Sequence, residues 1–160
     1  MPQSHLAQVN IARMKAPLES PELADFVARL DEINALADRA PGFVWRLQTD
    51  DGNATYVRAY DDDMILVNLS VWESVEALKN YTYRTAHAEL LRDRRKWFEH
   101  FAGAYVALWW VPAGHVPTAE EAKARLEHLE AHGPSPFAFT FRSIQEPETS
   151  GKSIVQPNTI

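Results

Sequence analysis

His87 and Arg94 stand seven residues apart on a segment, 83–98, whose apolar positions Leu90, Leu91, Trp97 and Phe98 follow a helical period. The same period puts the histidine and the arginine on the apolar face. A buried cation without compensation is costly, so this face is expected to line a cavity or an interface. His87 has two readings, a hydrogen-bonded core histidine and a partly buried imidazole that acts as general base or binds a metal. Arg94 also has two: its planar fork can hold a substrate carboxylate or enolate oxygen, or it can pair with an acid across a dimer interface. Two cations sharing one dry cavity repel, which is expected to keep the imidazole neutral and able to accept a proton. Tyr81 adds a phenol, and His87, Tyr81 and Arg94 are the candidate catalytic residues. Asn10, Asn68 and Ser70 lie on the less apolar sides of their strands, where they can orient a ligand. Trp72, Trp97 and Trp110 offer aromatic surface to sandwich a planar molecule, although aromatics at such spacings more often form ordinary core.

Other constellations are weaker. His128 and His132 are spaced i, i+4, but Leu129 follows the first where a zinc protease has glutamate, and both point away from Leu126. They read as solvated histidines near a helix C-terminus, and no metal site is expected. Asp50-Asp51 and Asp61-Asp62-Asp63 lack the glycine and glutamate spacing of a calcium loop and read as turns. There is no phosphate-cradling glycine loop, nucleotide fingerprint or nucleophile elbow, so a dinucleotide cofactor is not expected. The absence of cysteine removes disulfides, thiolate metal sites and thiol nucleophiles. A formal net charge of −6 leaves no basic excess for nucleic-acid backbones, and the Arg92–Lys96 cluster reads as a solvated helix face. With neither an apolar leader nor a bilayer-length apolar run, the expectation is a soluble cytoplasmic protein with no membrane partner.

These residues need elements to position them, and 160 residues suffice for one domain with its own core. Residues 5–13 alternate as a half-buried strand, with Ala7, Val9 and Ile11 on one side and Gln8 and Asn10 on the other. Ser20-Pro21-Glu22 reads as an N-cap with proline at the first helical position, opening a helix with Leu23, Phe26, Val27, Leu30, Ile33 and Ala37 inward. Pro41-Gly42 stops it. Phe43, Trp45 and Leu47 then alternate with Val44, Arg46 and Gln48 in a second strand, which turns at 50–53, and residues 55–60 read as a short continuation. A central strand runs from Met64 to Val71, the helical segment follows, and Gly103 precedes a strongly apolar strand over 104–111. Thr118 to Glu121 form a capping box for a further helix, closed by Gly133-Pro134, and Phe137, Phe139 and Phe141 alternate in a last strand. Residues 1–144 thus form one domain, and 145–160 read as a polar, disordered tail. The order is that of an α+β, ferredoxin-like antiparallel sheet with helices on one face, plus an extra C-terminal helix and strand. The other sheet face, carrying Trp45 or Arg46 and one of Trp109 and Trp110, needs cover, and a homodimer is expected to supply it.

The order of elements, Val71-Trp72-Glu73-Ser74 at the end of the third strand and a histidine in the following helix resemble the dimeric α+β-barrel superfamily of antibiotic-biosynthesis and haem-degrading monooxygenases. Residues 69–98, the Trp109-Trp110-Val111-Pro112-Ala113-Gly114-His115 segment and the capped helix after it look like an uncharacterised bacterial family within it. In the haem degraders of that superfamily a first-strand asparagine, a helix aromatic and a later histidine surround the cofactor; the matching positions are Asn10, Tyr81 and His87, with a shorter Tyr81 to His87 spacing. The resemblance implies a monooxygenase-like enzyme that acts on a small aromatic or enolic substrate without a cofactor. The alternative is a non-enzymatic protein that binds haem or another planar small molecule.

Overall fold

A computed structural model describes residues 3–48, 64–84, 87–100 and 103–147. Strand β1 (Ser4–Arg13) is followed by helix α1 (Ala24–Arg39), β2 (Phe43–Arg46), β3 (Ile65–Trp72), α2 (Val75–Arg84), α3 (His87–Asp93), β4 (Val106–Pro112) and α4 (Ala119–His132). The four strands form one antiparallel sheet in the order β2-β3-β1-β4, a ferredoxin-like arrangement. The expected turn at 50–53, the strand continuation at 55–60 and the acidic run at 61–63 lie outside the described residues.

Strand alternation divides the core. Ala7, Val9 and Ile11 of β1, Val67, Leu69 and Val71 of β3 and Ala107, Trp109 and Val111 of β4 share one face, where Ala122, Leu126 and Leu129 of α4 pack on them. Leu6, Trp72 and Leu108 share the other face with Ile33 and Ala37 of α1 and Leu78 and Tyr81 of α2. A third cluster, Met14, Ala16, Leu23, Phe26 and Trp97, closes the opposite end of that helix-covered face. The homodimer expectation rested on an uncovered sheet face. That face is covered by α4 within one chain, with Val9, Leu69 and Val71 each 1% exposed, so its burial does not require a second copy.

Local chemistry explains where elements depart from simple pattern reading. Ser20 makes no capping bond; Pro21–Leu23 form a 3-10 turn instead, and α1 begins at Ala24. Gly42, at φ +84°, turns the chain where a Cβ would come within 2.5 Å of the Ala77 Cβ, so β2 enters against α2 only because no side chain is there. A bulge between Phe43 and Trp45 then shifts the parity of β2. Phe43 joins the helix-covered face, while Trp45 and Leu47 join the α4 face. The segment expected as one helix over 83–98 is α3 followed by a 3-10 turn at Arg94–Lys96. Thr118 caps α4 as expected, its Oγ1 accepting the Glu121 amide hydrogen at 3.0 Å. The expected last strand is reduced to one bridge, Phe139 to Leu108, with Phe139 fully buried and Phe141 in a 3-10 turn. Gln145, expected to begin a disordered tail, accepts a hydrogen bond at its backbone oxygen from the Trp110 indole at 2.7 Å.

Candidate functional site

Between the two apolar clusters of the helix-covered face, β1 and β3 place four polar side chains opposite each other. Gln8 pairs with Ser70 and Asn10 with Asn68 in the antiparallel register, and Leu6 with Trp72 one row further on. The Gln8 amide donates from Nε2 to Asn68 Oδ1 and to Ser70 Oγ, both at 2.8 Å. The Trp72 indole donates from Nε1 to the same Ser70 Oγ at 2.8 Å. Asn10 Nδ2 donates to Gln8 Oε1 at 3.2 Å and lies 3.5 Å from Asn68 Oδ1. Gln8 and Ser70 are 6% and 7% exposed, whereas Asn68 is exposed.

The hydrogen-bond inventory shows what this network offers. Ser70 Oγ already accepts two bonds, so its own proton remains to be donated. Among the described residues no partner engages the Asn68 Nδ2 hydrogens or Asn10 Oδ1. Buried Gln8 fixes the carbonyl end of Asn68, which presents the amide hydrogens outward. The network thus leaves two donors, the exposed Asn68 amide and the Ser70 hydroxyl, for an oxygen on which negative charge develops.

A wall of buried aromatic side chains adjoins the network. Tyr81 stacks on Trp72 with ring centroids 5.1 Å apart and 29° between planes, and Phe43 meets Trp72 edge-on at 5.4 Å. Arg46 stands beside Ser70 in the same cross-strand row, its fork gripping Asp38 of α1 at 2.8 Å and 3.3 Å. A groove of about 670 Å³ between the end of α1, Gly42 and α2 shares Tyr81 with this wall but none of the amide side chains. The hydrogen-bond geometry, not the volume, marks the site.

The structure brings Asn10, Asn68, Ser70, Trp72 and Tyr81 together and places Arg94, Trp97 and Trp110 apart from the amide side chains. Tyr81 is unsuited to the base role: its hydroxyl donates to the Ile33 carbonyl oxygen at 3.2 Å, and burial pushes its pKa well above the ordinary value, against a smaller lowering by Arg46. Arg94 is exposed and opens the 3-10 turn that follows α3. Trp97 is core, 2% exposed, with Phe26 at 5.6 Å and the Arg29 guanidinium over its ring at 5.8 Å. Trp110 lies toward the edge strand and lines a different concavity. The His87 side chain lies outside the described residues, and with it the expected His87–Arg94 pairing. Gln8 and Arg46 were missed. Gln8 was legible as the residue two before Asn10 on the same strand side; Arg46 was hidden by the β2 bulge. Among the described residues no three metal-ligating side chains cluster, and no helix is long and apolar enough to cross a membrane.

No curated protein matches the chain. Among solved structures it is similar to SnoaB, a cofactor-independent oxygenase from Streptomyces nogalater, at 19% identity over 72% of this chain and 97% of that one, with a TM-score of 0.44. A dabb family protein with a ferredoxin-like fold from Mesorhizobium loti is 15% identical over 73% and 100%, with a TM-score of 0.42. MupZ from Pseudomonas fluorescens is 15% identical over 98% and 95%, again with a TM-score of 0.42. These likenesses concern the fold. A family model matches residues 5–154, nearly the whole sequence, and the chain therefore belongs to the family described as domain of unknown function DUF3291.

Proposed function

We propose that this protein binds a small planar phenol or enol over the Gln8–Asn10–Asn68–Ser70–Trp72 network and oxidises it with dioxygen without a cofactor. The observation that carries the reading is the Asn68 amide, anchored at its oxygen by buried Gln8 and left with its hydrogens outward beside the Ser70 hydroxyl. Once the substrate has lost a proton, these donors stabilise the enolate oxygen, and the carbanion form reduces dioxygen. A methylene carbon becomes a carbonyl, one oxygen atom is retained and the other leaves with the two hydrogens as water, so the substrate supplies all the electrons. None of the five network side chains titrates near neutral pH, so ionisation depends on the acidity of the substrate itself. His87→Ala tests whether an imidazole assists.

The experiment is oxygen uptake with dithranol, an enolisable aromatic ketone, as the probe. Asn68→Ala is expected to lower the rate by about 10²-fold, the usual cost of one oxyanion donor. Uptake no faster than in buffer, or unchanged in Asn68→Ala, would overturn the reading. The non-titrating network also favours a second reading, a protein that holds haem or another planar molecule without transforming it. Saturable binding of haemin, seen as a Soret shift and lost in Asn68→Ala, together with no oxygen uptake on dithranol, would establish that one instead.

A further inference from the structure

A second polar cluster stands at the end of β4, away from the amide network. After Pro112 the chain turns through Gly114, at φ +94°, and brings His115 back over the first turn of α4. There His115 Nε2 lies 2.9 Å from Glu121 Oε1, while Glu121 Oε2 accepts the Trp109 indole hydrogen at 3.0 Å. Burial pushes the Glu121 carboxyl up, but the hydrogen bonds from His115 and Trp109 and the charges of His115 and Arg125 outweigh it and hold the group below the usual carboxylate value. An ionised carboxylate only accepts, so Nε2 carries the hydrogen, and in the neutral imidazole Nδ1 is left with a lone pair. Nδ1 has no partner among the described residues.

One helical turn on, the Arg125 guanidinium lies 3.8 Å from the Phe137 ring centroid and 5.6 Å from that of Trp109, donating one hydrogen bond from Nη1 to the Phe137 oxygen at 2.9 Å. Among the described residues its other donors meet no hydrogen-bond partner. His115, Glu121 and Arg125 line a concavity of about 290 Å³, whose other walls are Trp110, Val111 and Pro112. The Trp109 bond ties α4 to β4 and orients the carboxylate, whose other oxygen holds the His115 imidazole. That contact fixes the tautomer of His115 and leaves an acceptor next to a cation and an apolar wall.

We propose that this concavity is a second ligand site that takes a small hydroxycarboxylic acid with an apolar body. The ligand carboxylate meets the Arg125 fork, its hydroxyl donates to His115 Nδ1, and its body lies against Trp110 and Pro112. The site is independent of the oxygenase reading, because it shares no residue with the amide network.

Mandelate and phenylacetate, which differ only by the hydroxyl, are the probes, and binding is followed by the Trp110 indole N–H resonance and by calorimetry on the full chain. Mandelate is expected to bind about fivefold more tightly, the worth of one hydrogen bond. Exposed His115, changed to Ala, should equalise the two acids. Arg125→Lys, which keeps the charge and removes the fork, should weaken both about tenfold, and amide spectra of each variant report that it is folded. Absence of a saturable Trp110 shift with either acid, equal affinity for both in the unchanged protein, or affinities indifferent to both substitutions would each overturn the proposal.

Discussion

The amide cluster on β1 and β3 and the ionic cluster at the end of β4 lie on the same sheet, yet they meet the cost of burying polar groups in opposite ways. In the first, every member projects from a strand, the register alone sets the spacing, and none carries a charge. In the second, a loop histidine, a helix carboxylate and a strand indole converge, and a charged group satisfies its neighbours. Neutral amides inside a sheet must be matched bond for bond, because an unpaired one has no counter-charge to fall back on. An exposed loop pinned by a carboxylate tolerates more slack, and its state follows pH.

This contrast can be broken most forcefully at Trp72, which joins the amide network to the core. Trp72→Ala removes a 1% exposed side chain, the contacts with Phe43 and Tyr81, and the donor to Ser70, and is expected to cost about 3–5 kcal/mol in urea unfolding. Gln8→Leu should cost about 2 kcal/mol, because it strips the buried donor from Asn68 and Ser70 with little change in volume; a neutral result would mean that the network is not matched in the way described.

Glu121→Gln separates the clusters by pH. The folded-state pKa of Glu121 is lowered, so its contribution is complete above the unfolded value, near 4.5, and is lost as pH falls through the folded value. The unchanged protein should therefore exceed the variant by about 1 kcal/mol at neutral pH and converge with it in acid, whereas the Gln8→Leu difference should stay level across that range. The smallest effect belongs to Arg94→Met, expected within about 0.5 kcal/mol in stability and without influence on dithranol oxidation, since the side chain is solvated.

Elements with a local chemical signature were legible in the sequence: the alternation of β1 and β3 placed Asn10, Asn68 and Ser70 together, and Thr118 and Glu121 marked the start of α4. What was not legible depended on phase carried across an interruption. The helical period over 83–98 holds only while the backbone stays α-helical; α3 ends at Asp93, and Arg94, the first residue of the 3-10 turn, is exposed. In β2 the bulge exchanges the faces of Phe43 and Trp45, which strict alternation put on one side. Phe137, Phe139 and Phe141 alternate as a strand should, but Leu108 bonds only Phe139, and Phe137 stays 41% exposed under the Arg125 guanidinium.

The cover that α4 gives to the second sheet face has a thermodynamic corollary. Because the helix is tethered to β4 through the short 113–118 link, it meets the face at an effective concentration of the order of millimolar, whatever the amount of protein in solution. Burial of that face is then a unimolecular event. The shelter of that face is therefore indifferent to dilution, unlike that of a sheet which depends on a second copy for cover.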